Sequence, residues 1–209
     1  MDVEPGPFVV VGLGNPGPDY AGTRHNVGFA VAHRLADALR AQPFDRTPDY
    51  DSWSGHVPGE EGATLVVLTP LTFMNASGRA LREFGRRFGL AKERILVVVD
   101  DVYLPLGTLR LRARGSDGGH NGLESVRIAL GSDEFARLRI GVGLGEGMPT
   151  LADHVLSQFV PEELPVLNEV LRIAQEAALT WAREGIASAM NRFNAKPRAE
   201  RDNTPEGER

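Results

Sequence analysis

Apolar residues recur along this chain in short continuous runs and in helical repeats, and their order predicts alternating strands and helices. Phe8–Leu13 (FVVVGL) is a short apolar run stopped by Gly and Pro, the pattern of a buried strand. Gly14-Asn15-Pro16-Gly17-Pro18 cannot continue regular structure and predicts a tight loop. A helix fits Thr23–Arg40, where Val27, Val31, Leu35 and Leu39 repeat at helical spacing. The polar stretch Gln42–Asp51 reads as a connection to two strands, near Trp53–Val57 and Thr64–Leu68. Met74–Phe88 predicts a second helix with Leu81, Phe84 and Phe88 on one face. Ile95–Val99 (ILVVV) is the most apolar run and predicts a central, parallel strand. Thr108–Arg114 alternates Leu109, Leu111 and Ala113 with Arg110, Arg112 and Arg114, a period-two strand. A glycine-rich loop, Gly115–Gly122, opens a helix over Leu123–Leu130, and Leu138–Leu144 is the last strand. Pro161–Glu184 is a long helix started by Pro-Glu-Glu, with a shorter helix up to Phe193. The order predicts one α/β domain: a twisted mixed, largely parallel sheet flanked by helices, occupying residues 1–195. The polar stretch 196–209 reads as a disordered tail.

Composition narrows the chemistry. The chain has 209 residues, 42% hydrophobic and 24% charged, within the range of one globular domain. It contains no Cys, so disulfides and thiolate metal sites are excluded. The start, Met1-Asp2-Val3-Glu4-Pro5, lacks the basic and apolar regions of a secretion signal, and no run is long enough for a membrane span. A cytoplasmic location without membrane contact is expected. The net charge of −5 counts against a nonspecific nucleic-acid binder but leaves room for a local basic surface.

Polar residues stand where apolar strands end. Asn15 follows the first strand, Asn75 the Thr64–Leu68 strand after a short connection, and Asp100 the ILVVV strand. In open α/β sheets ligands bind at the carboxyl ends of strands, so parallel neighbours would bring the three together. Turn formation and helix capping are the alternative roles of such residues. His25 lies at a helix start, where the dipole disfavours a charged imidazole; a neutral one suits a general base, and Asp100 could fix its tautomer. His120 and Asn121 stand between Gly119 and Gly122 at another helix entrance, where small neighbours permit close approach to a ligand. His33, His56 and His154 have no evident partners and read as structural or surface residues.

Arg110, Arg112 and Arg114 place cations along one strand face, and Arg127, Arg137 and Arg139 could extend the stripe. Such a surface suits phosphates, although a solvated strand face looks the same in sequence. Gly12-Leu13-Gly14-Asn15-Pro16-Gly17 matches a dinucleotide fingerprint, but Pro16, Pro18 and Gly22 delay the helix that must follow directly. There is no G-x-S-x-G elbow and no zinc-type histidine spacing, so direct attack by water is the remaining hydrolytic route.

Four segments then complete a pattern: VVGLGNPGPDYAGTRHNVG (Val10–Gly28), PLTFMNASG (Pro70–Gly78), GGHNGLESV (Gly118–Val126) and FARLRIGVG (Phe135–Gly143). With ILVVVDD between the second and third, they resemble bacterial peptidyl-tRNA hydrolase in order and spacing from Phe8 to Asn194. The resemblance implies a monomeric enzyme without cofactor or metal and without an obligate protein partner. It would cleave the ester between a peptide and the 3′-terminal ribose of tRNA, releasing tRNA from peptides dropped by stalled ribosomes. It implies His25 as catalytic base, Asp100 as its support and Asn15, Asn75 and Asn121 as active-site amides. Tyr20, Met74 and His120 fall at or beside the substrate cleft, and Arg112 and Arg139 match positions of tRNA contact; Arg110, beside them on the stripe, is expected to join them on the phosphates. A non-catalytic RNA-binding protein on the same fold is the competing class. Asp117, Tyr103 and Leu144-Gly145-Glu146 depart from the family pattern and bear on tRNA docking.

Overall fold

In the computed structural model, which describes residues 6–60, 63–145 and 147–194, the strands form one seven-stranded sheet. Strands β1 (Phe8–Gly12), β4 (Thr64–Pro70), β5 (Ile95–Asp101) and β7 (Ala136–Gly141) are parallel, in the order β4-β1-β5-β7. The edges are antiparallel: β2 (Gln42–Arg46) and β3 (Tyr50–His56) extend β4, and β6 (Leu109–Arg112) extends β7. The mixed, largely parallel sheet matches the expectation. Glu146 and the stretch 196–209 lie outside the described residues.

Alternation along the strands sorts their side chains between two cores. Val10, Val67, Leu96, Val98 and Leu138 face α1 (Val27–Ala38) and the final helix, while Val9, Val11, Leu68, Val97 and Val99 face α2 (Ser77–Phe88) and α3 (Asn121–Leu130). Each such side chain fully removed from water contributes about 1.5–3 kcal/mol. A short helix, α4 (Leu151–Val155), precedes the last one, α5 (Leu164–Phe193), which is interrupted at Gly185 where φ is 83°. That break separates the long helix from the shorter one, as the pattern predicts.

Two elements differ from the reading of the sequence. Gln42–Arg46 is a strand rather than a connection: its polar residues and Pro43 are tolerated because β2 is the edge of the sheet. Phe44 still covers the core there, 4.9 Å from the Phe88 ring. At the other edge β6 stops at Arg112, so Arg114 lies beyond the strand.

Helix α1 lies directly on the ends of β1 and β5 because position 28 has no side chain. A Cβ there would stand 2.4 Å from the Leu13 carbonyl and 2.5 Å from the Val98 carbonyl, both backbone that cannot yield. Gly28→Ala is therefore expected to lower stability by about 1–3 kcal/mol, the usual range for overpacking. Urea unfolding checks this, and an unchanged midpoint would contradict it.

Candidate active site

Because β4, β1 and β5 are parallel neighbours, their carboxyl ends bring Asn75, Asn15 and Asp100 to one side of a cleft of about 540 Å³. His25 and His120 reach the same cleft from the loops entering α1 and α3.

Asp100 is its centre. The side chain is 2% exposed, and its Oδ1 lies 2.8 Å from His25 Nδ1 and 3.0 Å from His120 Nε2. Burial pushes a carboxyl towards its neutral form, but the facing His120 and His25 imidazoles outweigh it. The Asp100 carboxyl is held well below the usual carboxylate range.

The hydrogen bonds assign both tautomers. His120 caps α3: its Nδ1 accepts the N–H groups of Gly122 at 3.1 Å and Leu123 at 3.2 Å. A nitrogen that accepts carries no proton, so the His120 proton sits on Nε2 and is donated to Asp100. His25 donates its Nδ1 proton to the same oxygen, which leaves His25 Nε2 with a free lone pair. Ligating atoms of these three side chains lie within 4.8 Å of one another, close enough for a metal ion. The bonds to Asp100 and to the start of α3 occupy every ring nitrogen of the cluster except His25 Nε2.

His25 is held between two anchors. Arg24 before it is buried, with its N–H on the Ser157 carbonyl and its guanidinium 2.6 Å from Glu163. Asn26 after it exchanges hydrogen bonds with the backbone of Asn15, accepting from its N–H at 2.8 Å and donating to its carbonyl at 2.9 Å. Asn15 in turn accepts the Met74 N–H through Oδ1 at 2.8 Å. With the oxygen so used, the amide NH₂ of Asn15 is the group left for the cleft. Asn75 and Asn121 line the cleft, exposed, and their side chains make no hydrogen bond among the described residues. Gly122 lets α3 come this close: a Cβ there would meet Met74 Sδ at 2.5 Å.

Tyr20 is half-buried with its ring edge-on to Phe73, centroids 6.1 Å apart; Phe73 rather than Tyr20 lines the cleft. Leu151, Val155 and Leu156, from α4 and its end, form an apolar wall that sequence reasoning missed. Its signal was the Thr150–Asp153 cap, in which Thr150 Oγ1 accepts the Asp153 N–H at 3.1 Å.

The basic stripe divides. Arg110 pairs across the strands with Arg139, and Arg112 with Arg137. Arg110 and Arg112 are exposed and make no ion pair among the described residues. Arg139 lines the cleft, 3.1 Å from Asp101, with further bonds to the carbonyls of Ser116 and Asp117. Arg137 does not extend the stripe as expected: it is 1% exposed and bonds the carbonyls of Gly115, Ser116, Asp133 and Phe135. Burial pushes its guanidinium down to about 10. It is a brace for the loop leading into α3.

A sequence profile described as peptidyl-tRNA hydrolase matches residues 9–202. The chain belongs to the peptidyl-tRNA hydrolase family. It is 43% identical to the peptidyl-tRNA hydrolase of Desulfitobacterium hafniense over 89% of this chain and 98% of that relative. It is 42% identical to that of Salinibacter ruber, over 90% of this chain and 97% of the other. The crystal structure of the peptidyl-tRNA hydrolase from Acinetobacter baumannii superposes with a TM-score of 0.81 at 33% identity, covering 90% of this chain and 95% of that one. Among the described residues no helix is long and apolar enough to cross a membrane.

The depressed Asp100 carboxyl makes stability depend on acid in a defined direction. A folded-state value below the unfolded one contributes stability above the ordinary carboxylate range and loses it as pH falls towards the folded value. The stability gap between the wild type and Asp100→Asn should therefore narrow as pH falls below about 4. Denaturant titrations across the acid range measure the gap, and one that stays constant or widens would contradict the ionised, doubly bonded Asp100.

Proposed function

We infer that this member of the peptidyl-tRNA hydrolase family hydrolyses the ester between a peptide and the 3′-terminal ribose of tRNA. The observation that carries the mechanism is the Asp100–His25 pair, which leaves His25 Nε2 as an unprotonated nitrogen in the cleft. In this reading His25 Nε2 takes a proton from water as the oxygen attacks the ester carbonyl. Asp100 stabilises the imidazolium that forms, and the Asn15 amide donates to the developing oxyanion, a contribution of about 2.7–4 kcal/mol. Collapse of the tetrahedral intermediate expels the ribose oxygen, which takes the proton back from His25. The free peptide carboxylate and tRNA are the products.

Asn75, Asn121 and Met74 are assigned to holding the aminoacyl end, with Tyr20 supporting Phe73 at the rim. His120 positions Asp100. The exposed Arg110 and Arg112 supply cations for tRNA phosphates, and Arg139 lies where that face meets the cleft. The overall charge of −5 is compatible with this because the cations stand together on the β6–β7 face. The proposal includes residues 1–195 as one catalytic unit, acting in the cytoplasm as a monomer without an obligate protein partner, cofactor or metal.

Release of peptide from an N-blocked aminoacyl-tRNA in EDTA is the test. The wild type is expected to cleave, and His25→Ala to lose about 10²–10⁴-fold in kcat, the usual contribution of a general base. Near-wild-type turnover by His25→Ala would remove His25 from the chemistry. Binding of tRNA without cleavage by either protein would leave an RNA-binding role instead.

A further inference from the structure

Tyr103 is 68% exposed at the rim of the cleft, yet its backbone is fixed. Its N–H donates to Asp101 Oδ1 at 2.9 Å, and the other oxygen of Asp101 binds Arg139 Nη1 at 3.1 Å. Leu104 after it is buried. The Tyr103 ring packs on no other aromatic ring, and its hydroxyl makes no hydrogen bond among the described residues. A large flat side chain is thus presented to the cleft rim from an anchored backbone.

Its position decides what it would meet. Tyr103 follows Asp100 by three residues, so the two Cα atoms are at most about 11 Å apart. The chain therefore keeps Tyr103 close to the His25–Asp100 pair, at the rim of the same cleft. Tyr103 also stands on the Arg139 side of the cleft, and Arg139 is cross-strand partner of the exposed Arg110. The apolar wall of α4 is anchored on two sides: Thr23 pairs with Gln158 before His25, and His154 donates to the carbonyl of Gly143, whose own N–H bonds Leu104 next to Tyr103. A ring beside cations fits a nucleotide, since every base offers a π-face and the arginines offer charge to its phosphate. An apolar wall fits peptide side chains.

Resting on the reading that this cleft receives the aminoacyl end of tRNA, we propose that Tyr103 is the stacking platform for the terminal base of the 3′ strand. It is a substrate-binding residue that holds the terminal nucleotide at the cleft and leaves the chemical step to His25.

The probe is tRNA with 2-aminopurine as its last base, bound in deacylated form, alongside steady-state cleavage of N-acetylphenylalanyl-tRNA. Wild type and Tyr103→Phe should both quench the 2-aminopurine fluorescence. Tyr103→Ala should lose the quenching and bind at least about fivefold more weakly, the lower end of base–aromatic stacking. Its KM should rise by the same factor, with kcat within about twofold. Undiminished quenching and affinity in Tyr103→Ala would overturn the proposal. So would a Tyr103→Phe variant as impaired as Tyr103→Ala, because the hydroxyl and not the ring would then be the contact. Cleavage by the wild type reports separately on the hydrolase reading, so the stacking role can fail while that reading stands.

Discussion

Asp100 places a charged carboxylate at the end of the most apolar strand in the chain, 2% exposed. An unpaired charge there would cost several kcal/mol in lost hydration. Two imidazole N–H groups offset that cost by converging on one oxygen. Much of the site follows from this convergence. It draws together the loops before α1 and α3, turns the free nitrogen of His25 towards the cleft, and sets His120 as both a helix cap and a partner of Asp100. A histidine can do both only if its two nitrogens play opposite roles, and the N–H groups at the start of α3 impose that choice.

The scaffold makes this geometry possible through parallel order. Adjacent strands β4, β1 and β5 end on the same side, so Asn75, Asn15 and Asp100 are neighbours by topology before any side-chain contact is made. Close packing then removes slack. The missing side chain at Gly28 brings α1 onto the backbone of Leu13 and Val98, and that at Gly122 brings α3 onto Met74. Two hydrogen bonds exchanged between Asn26 and Asn15, and one donated by the Met74 N–H to Asn15 Oδ1, join the three loops into one unit. Arg24, paired with Glu163, ties that unit to the start of the last helix.

Much of this was legible in the sequence because it depends on local pattern. Apolar runs located the parallel strands, and polar residues after them pointed to the cleft where Asn15, Asn75 and Asp100 meet. The edge strand β2 was not legible, since an edge faces solvent and its residues, Gln42 to Arg46, need no apolar pattern. The role of Arg137 was hidden for a related reason. Alternation tells which face of β7 a side chain takes, but not that the loop 115–118 folds over that face and buries it. His120 was placed near the site, but its bond to Asp100 is a long-range contact that spacing cannot encode. α4 was overlooked because five residues are too few for a periodicity, although its Thr150 cap was visible.

The exposed cations and the cleft are separated on the molecule. Arg110 and Arg112 lie on a strand face at the sheet edge, while Asp100, His25 and His120 lie in the cleft at the strand ends, with Arg139 between them. In the proposed reading, this arrangement lets an acidic protein meet RNA on one side and carry out the hydrolysis on the other. Its central claim is that Asp100 fixes opposite tautomers on two histidines. Long-range proton–nitrogen correlation spectra of the ¹⁵N-histidine-labelled protein test it most directly. The account predicts that the neutral imidazole of His25 carries its proton on Nδ1 and that of His120 on Nε2. A proton on Nε2 of His25 would contradict it, because that nitrogen could then no longer accept one from water.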